Sequence, residues 1–186
     1  MDPQVSAPSE GRSSPRQLMA RLAADVGEPE AAGICADLLG GADPRDHPAT
    51  FPYFADLATE KFLAGTWGPE YWSRVWGARG LLYVWSDPVA PTVVHGLSDE
   101  AWRVAEMCLK VAARREIAAA GDGAVPLAGH ELSRVRAAAM RLLGAVGDTE
   151  HVDTVELCLD DTDPEVRRHA DRALRAMTRR LDLPRD

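Results

Sequence analysis

Four stretches of this chain fall over one another in a single frame. They read GPEYWSRVWGARGLLYVW (68–85), SDEAWRVAEMCLKVAAR (98–114), HELSRVRAAAMRLLGAVG (130–147) and TDPEVRRHADRALRAM (162–177). Aligned on Arg74, Arg103, Arg136 and Arg167, they recur at spacings of 29, 33 and 31 residues. Six residues after each Arg stands Gly80, Leu109, Leu142 or Ala173, and in three units an acid lies four before it, as Glu70, Asp99 and Asp163. Apolar residues at three- and four-residue intervals make each stretch an amphipathic helix. Shorter apolar segments lie between them, Pro88 to Leu97 and His151 to Leu159. Their counterpart between Glu116 and Gly129 is poor in apolar residues and is interrupted by Gly121-Asp122-Gly123 and Pro126, which read as turns. The unit is two antiparallel helices in ~30 residues. One such pair cannot bury both its faces, whereas stacked pairs can. The fold class that follows is all-α, an α-solenoid of stacked antiparallel helix pairs.

Composition agrees. The 186 residues include 30 Ala and only 2 Ile, a balance that favours helix over sheet. Residues 1–14, rich in Pro and Ser, read as a disordered tail without the apolar stretch of a secretory signal. Residues 15–66 read as N-terminal helices, either a degenerate repeat or a cap, and 67–181 as an array of about four units. Ser14 is placed to cap a first helix with Pro15 at its first position and Gly27 as its stop. A second helix runs from Pro29 to Leu39. A third, Phe51 to Ala64, carries Phe51, Phe54, Leu57, Ala58 and Phe62 on one face.

Net charge is −8, and between Asp25 and Glu60 eight acids face one Arg. That field repels phosphate backbones and anionic lipid, which makes nucleic acid an unfavoured partner. No apolar run approaches the ~20 residues that span a bilayer, so no membrane partner is expected. The three cysteines, Cys35, Cys108 and Cys158, are widely spaced and sit in apolar helical patterns. They read as reduced, buried thiols of a cytoplasmic protein.

The last unit, with Asp163-Pro164-Glu165-Val166-Arg167 followed by Ala170, Ala173 and Leu174, resembles the HEAT-repeat family in its short bacterial form, called HEAT-like or phycobilisome-lyase-like repeats. The third unit resembles it through Val135-Arg136, Ala139, Leu142, Leu143 and Gly144, the second more loosely through Asp99, Trp102-Arg103 and Leu109. The likeness covers roughly residues 67–180. It implies a non-enzymatic scaffold that binds a protein or peptide through a groove, and an Arg/Asp ladder between repeats in which Arg74, Arg103, Arg136, Arg167, Asp99 and Asp163 are structural. Local pairing of each Arg with the acid four residues before it is the alternative. A second implied reading, from the alkylpurine DNA glycosylases of the same family, is an enzyme with an aromatic cleft and an acid such as Asp87 or Glu106. A tetrapyrrole lyase finds no suitably placed Cys or His.

The aromatic residues are the strongest candidates for a site. All five tryptophans lie within the first two units, and Trp72, Val75, Trp76, Arg79, Leu82 and Tyr83 make one core-facing stripe. Trp67, Tyr71 and Trp85 fall outside it and are candidates for a binding surface, with Trp102 beside them; filling the junction with the N-terminal helices is the competing role. Glu106 occupies an inward position where other units carry Gly77, Ala139 and Ala170. It must pair with Arg79, line a pocket, or pair with Lys110 on an exposed face. No metal or cofactor is expected: His130-Glu131 lacks a second His four residues on, and His151 with Asp153 lacks a third ligand, which leaves surface or capping roles.

Overall fold

The computed structural model describes residues 13–182, and residues 1–12 of the tail expected at 1–14 lie outside them. The described residues are helical without a strand. The α-helices are α1 (Pro15–Val26), α2 (Glu28–Leu39), α3 (Pro52–Ala55), α4 (Thr59–Leu63), α5 (Trp72–Gly80), α6 (Ala90–His95), α7 (Trp102–Arg115), α8 (Gly121–Ala124), α9 (Ser133–Val146), α10 (Val152–Leu157) and α11 (Pro164–Leu181). Helices α2, α5, α7, α9 and α11 form one layer, each packed on the next. The short α6, α8 and α10, flanked by 3₁₀ turns, form a second layer behind it. This is an α-solenoid.

The local signals read from the sequence explain how the elements begin. Ser14 Oγ accepts from the Gln17 N–H at 3.3 Å while Gln17 Oε1 accepts from the Ser14 N–H at 2.8 Å, a reciprocal cap ahead of Pro15. Gly27, at φ 88°, turns the chain directly into α2. Asp163 caps α11 by accepting from the Glu165 N–H at 2.8 Å, with Pro164 at the first helical position.

The repeat has one period. Helices α7, α9 and α11 begin at residues 102, 133 and 164, and α4, α6, α8 and α10 at 59, 90, 121 and 152, each thirty-one residues after the one before. The positions equivalent to Arg74 are then Ala105, Arg136 and Arg167. Alignment on Arg103 is two residues out of register at the second unit, and the unequal spacings of 29 and 33 are a consequence. The recurrence also begins upstream of Trp67, at the 3₁₀ turn Asp56–Ala58 that leads into α4.

Three further expectations are corrected. Phe51 to Ala64 is not one helix, because Asp56 adopts φ 48°, outside helical space, and splits α3 from α4. The break lets Phe51 and Phe62 approach Trp76 at ring distances of 6.0 and 5.1 Å, and it leaves Leu57 77 % exposed. The Gly121-Asp122-Gly123 stretch is the helix α8, not a turn: a Cβ at Gly123 would lie 2.6 Å from the Leu97 side chain and one at Gly121 3.1 Å from the His151 ring. These glycines permit close packing of the second layer. Tyr83 lies beyond the end of α5 at Gly80 and is exposed, so the predicted core stripe stops short of it.

The ladder between repeats is present with shifted partners. Arg74 donates from Nε and Nη2 to Asp99 at 2.7 and 3.0 Å, and Arg136 from the same nitrogens to Asp161, both at 2.7 Å. Each acid belongs to the following unit, and Asp99 and Asp161 both also accept the N–H two residues on, from Ala101 and Asp163. Asp161, not Asp163, is therefore the rung. In the second unit the Arg position is Ala105, and the Asp position that would face it from the third unit is His130, whose Nδ1 still accepts the Leu132 N–H at 3.0 Å. No such rung joins those two units.

The Arg136 guanidinium holds the Asp161 carboxyl below the usual range, outweighing the opposing effect of burial. A depressed carboxylate stabilises the fold above its unfolded value and loses that contribution as pH falls through its folded one. Asp161→Asn is expected to cost about 1–2 kcal/mol at neutral pH. In urea titrations repeated at decreasing pH, the gap between wild type and variant should close below the ordinary Asp value of 3.8.

Candidate binding groove

Between α7, α9 and α11 the array leaves an open groove of about 440 Å³, lined by Glu106, Lys110, Ser133, Arg134, Ala137, Arg141, Asp163, Glu165 and His169. The repeat places these side chains: Glu106 and Ala137 are equivalent positions thirty-one residues apart, as are Lys110 and Arg141. The true register moves Glu106 off the row of Gly77, Ala139 and Ala170, where Cys108 is the equivalent residue. Glu106 is nonetheless 5 % exposed. One carboxylate oxygen accepts from Lys110 at 2.8 Å and from Arg134 Nε at 3.1 Å, and the other pairs with Arg134 Nη2 at 3.0 Å. Of the three arrangements expected for it, pairing with Lys110 occurs, but buried and within a groove. The arginine that joins it comes from the next unit, while Arg79 instead donates to the Phe54 carbonyl at 3.3 Å.

On the α11 wall, Glu165 lies 3.1 Å from Arg168 and 3.7 Å from His169. Burial lowers the His169 pKa, Arg141 adds to this, and Glu165 opposes it, so this wall carries a neutral imidazole near pH 7. Asp163 sits below the usual carboxyl range, chiefly because Ser133 hydrogen-bonds to it. Arg141 is exposed and makes no ion pair among the described residues. The groove thus presents both signs of charge over an alanine floor.

The aromatic candidates occupy different surroundings. Trp67 is half-buried in a ring cluster with Phe62, Trp72 and Trp76 at 6.2, 5.9 and 5.1 Å, at the junction of α4 with α5. It also borders two adjoining clefts, one with Arg45 and Arg74, the other with Leu18 and Arg79. Tyr71 packs on Trp72, and its hydroxyl accepts from Arg103 Nη1 at 3.3 Å. Trp102 carries the Arg103 guanidinium 4.2 Å and the Arg134 guanidinium 5.0 Å from its ring centroid. Trp85 belongs to another set of contacts. Its backbone N–H donates to Glu28, its indole N–H to Asp87, and Arg115 lies 5.1 Å over its ring while donating to the Leu81 carbonyl that ends α5. Arg167 donates to the carbonyls of Asp161 and Thr162.

Sequence reasoning missed the roles of Arg134 and Arg141, because their significance depends on which helix faces which. It also missed the grouping of Asp122, Glu150 and His151, whose ligand-type atoms lie within 4.8 Å of one another. His151 is buried, not on the surface, and it does cap. Its Nδ1 accepts the Asp148 N–H at 2.9 Å, which puts the hydrogen of the neutral ring on Nε2, where it donates to Asp122 at 3.1 Å. That nitrogen has no lone pair to offer a cation.

The cysteines are buried, and burial pushes Cys35 up to about 12 and raises Cys108 and Cys158. A thiol reagent such as DTNB should label the native protein far more slowly than the urea-unfolded chain at all three positions, as read by peptide mass spectrometry.

The family model for HEAT repeats matches residues 122–185, the stretch from α8 through α11. A solved structure, the crystal structure of an engineered protein determined as a structural-genomics target, superimposes with a TM-score of 0.50 at 18 % identity, covering 89 % of this chain and 79 % of that one. It shares the fold. No curated protein matches the chain. Among the described residues no helix is long and apolar enough to cross a membrane.

Proposed function

We propose that this helical repeat array, whose residues 122–185 match the family model for HEAT repeats, is a non-enzymatic scaffold that holds a protein or peptide segment in the groove between α7, α9 and α11. The observation that carries the reading is the lining: Glu106 buried under two cations, with Arg141 and Glu165 exposed on facing walls. Mixed charge around Ser133 and Ala137 suits a polypeptide, whose side chains carry both signs. A phosphate backbone would meet Asp163 and Glu165. The same acids count against the glycosylase alternative, which needs a basic cleft.

The test is selection of displayed twelve-residue peptides on the wild-type chain, followed by binding to the charge-swapped variant Arg141→Glu/Glu165→Arg, which keeps net charge and alters two exposed residues. Selected peptides should lose at least ~10-fold in affinity, the order of one lost charged contact. Unchanged binding to the variant would exclude the groove.

A further inference from the structure

Arg103 differs from Arg74 and Arg136, the half-buried arginines that form the rungs of the front layer. Arg74 and Arg136 each hold a carboxylate with two donors, whereas Arg103 makes no ion pair among the described residues. Its guanidinium instead lies over two rings, 4.2 Å from the Trp102 ring centroid and 5.8 Å from that of Trp72, with one nitrogen spent on the Tyr71 hydroxyl. Such a guanidinium is held in place before any ligand arrives, which lowers the entropy lost on binding. On the other side of the repeat boundary Arg134 shares the Trp102 ring, and its charge is only partly used, because Glu106 is neutralised jointly by Arg134 and Lys110. The connected set of Arg103, Arg134, Lys110 and Glu106 carries two more positive charges than negative, on a chain whose net charge is −8.

We propose that Tyr71, Trp102, Arg103 and Arg134 form a strip continuous with the groove that reads carboxylates on an acidic polypeptide segment. The proposal rests on the groove reading and specifies the chemistry of its occupant. The geometry fits alternate residues of an extended chain. The two guanidinium carbons lie 4.2 and 5.0 Å from one ring centroid and so at most ~9 Å apart, while carboxylates at i and i+2 of a strand are set ~7 Å apart by its rise. Arg103 keeps its Nε–Nη2 edge and Arg134 its Nη1–Nη2 edge, each a planar pair of donors that matches one carboxylate. A longer polyanion is disfavoured, because Glu70 and Glu100 lie toward the Arg74 end of the strip and Asp163 and Glu165 toward the groove end. A duplex would be brought against them, whereas a short acidic segment fits between them.

The probe is a fluorescently labelled twelve-residue peptide alternating Glu and Thr, with an otherwise identical Gln–Thr peptide as control, titrated with the whole chain by anisotropy. Expected is at least ~10-fold tighter binding of the Glu peptide, weakening as salt rises. Arg103→Gln and Arg134→Gln should each lower that affinity at least ~5-fold, and Arg103→Lys, which keeps the charge but loses the planar fork, should lower it by less. Melting curves for each variant separate loss of binding from loss of fold, and Arg103→Lys carries the test if Arg103→Gln unfolds. The outer-face variant Arg175→Gln/Arg179→Gln, at exposed residues of α11 that do not line the groove, should bind as wild type. The proposal is overturned if the Gln peptide binds equally well, if the outer-face variant loses as much as Arg103→Gln, or if a twenty-base-pair duplex binds more tightly than the Glu peptide. Display-selected peptides that respond to the groove charge swap but not to Arg103→Gln would sink the strip and leave the groove reading standing; selected peptides indifferent to the swap would sink the groove.

Discussion

Gly77→Ala should destabilise the protein by about 2–3 kcal/mol in urea unfolding, the upper range for an overpacked site. Gly77 lies in α5 where that helix crosses α2. A Cβ there would stand 2.5 Å from the Cys35 carbonyl oxygen, 2.8 Å from the Leu39 nitrogen and 2.9 Å from the Leu38 Cβ. Two of these are backbone atoms of a neighbouring helix and cannot rotate away, so α5 must move off α2. Replacing a helical Gly with Ala ordinarily gains up to ~1 kcal/mol from propensity, so a net loss means that the clash outweighs this gain. Gly33, inside α2 with nothing within 4 Å of its would-be Cβ, is the control. Gly33→Ala should stabilise by about 0.5–1 kcal/mol. Opposite signs from the same substitution in two touching helices would locate the close approach. Equal signs would remove it.

Trp76→Ala should cost about 3–5 kcal/mol, as expected for a buried large aromatic. Trp76 is 5 % exposed and is the ring that joins the array to what precedes it, with Phe51, Phe62, Trp67 and Trp72 centred between 5.1 and 6.1 Å away. Its removal leaves a cavity lined by rings from α4, α5 and the segment before α3, none of which can shift without uncovering another. The loss should appear in the midpoint of unfolding and in the near-ultraviolet dichroism of the remaining tryptophans. Leu57→Ala, at the 77 % exposed side chain beside the Asp56 break, should change stability by no more than ~0.5 kcal/mol. A Trp76→Ala variant of near wild-type stability would mean that the cluster is not packed.

These effects show what the sequence could and could not disclose. Caps are local, so Ser14 and Asp163 were readable: each needs only its own next three residues. Helical apolar spacing is local too, and it was enough to give the solenoid. Register was harder. At the second unit the ladder arginine is replaced by Ala105 while an unrelated arginine stands two residues earlier, so residue identity drew the alignment to Arg103. The thirty-one-residue period becomes plain only when helix starts are compared. The α8 segment looked like a turn because its glycines serve neighbours, Leu97 and His151, that lie far away in sequence. For Glu106 the sequence showed a carboxylate in an awkward place but not its partner Arg134, twenty-eight residues on in the next unit. A ladder in which every rung joins one unit to the next cannot be read from any single unit.

The most direct test of this one-register stack is a set of double-mutant cycles on its rungs. Arg136→Ala with Asp161→Ala, and Arg74→Ala with Asp99→Ala, should each give a coupling energy of about 1–2 kcal/mol, as for charge-assisted bidentate pairs. The crossed pair, Arg74 with Asp161, joins residues that are not neighbours in the stack and should couple by less than ~0.3 kcal/mol. Absent coupling between Arg136 and Asp161, or crossed coupling as large as the paired ones, would contradict an array in which the first unit is fastened to the second, and the third to the fourth, through these rungs.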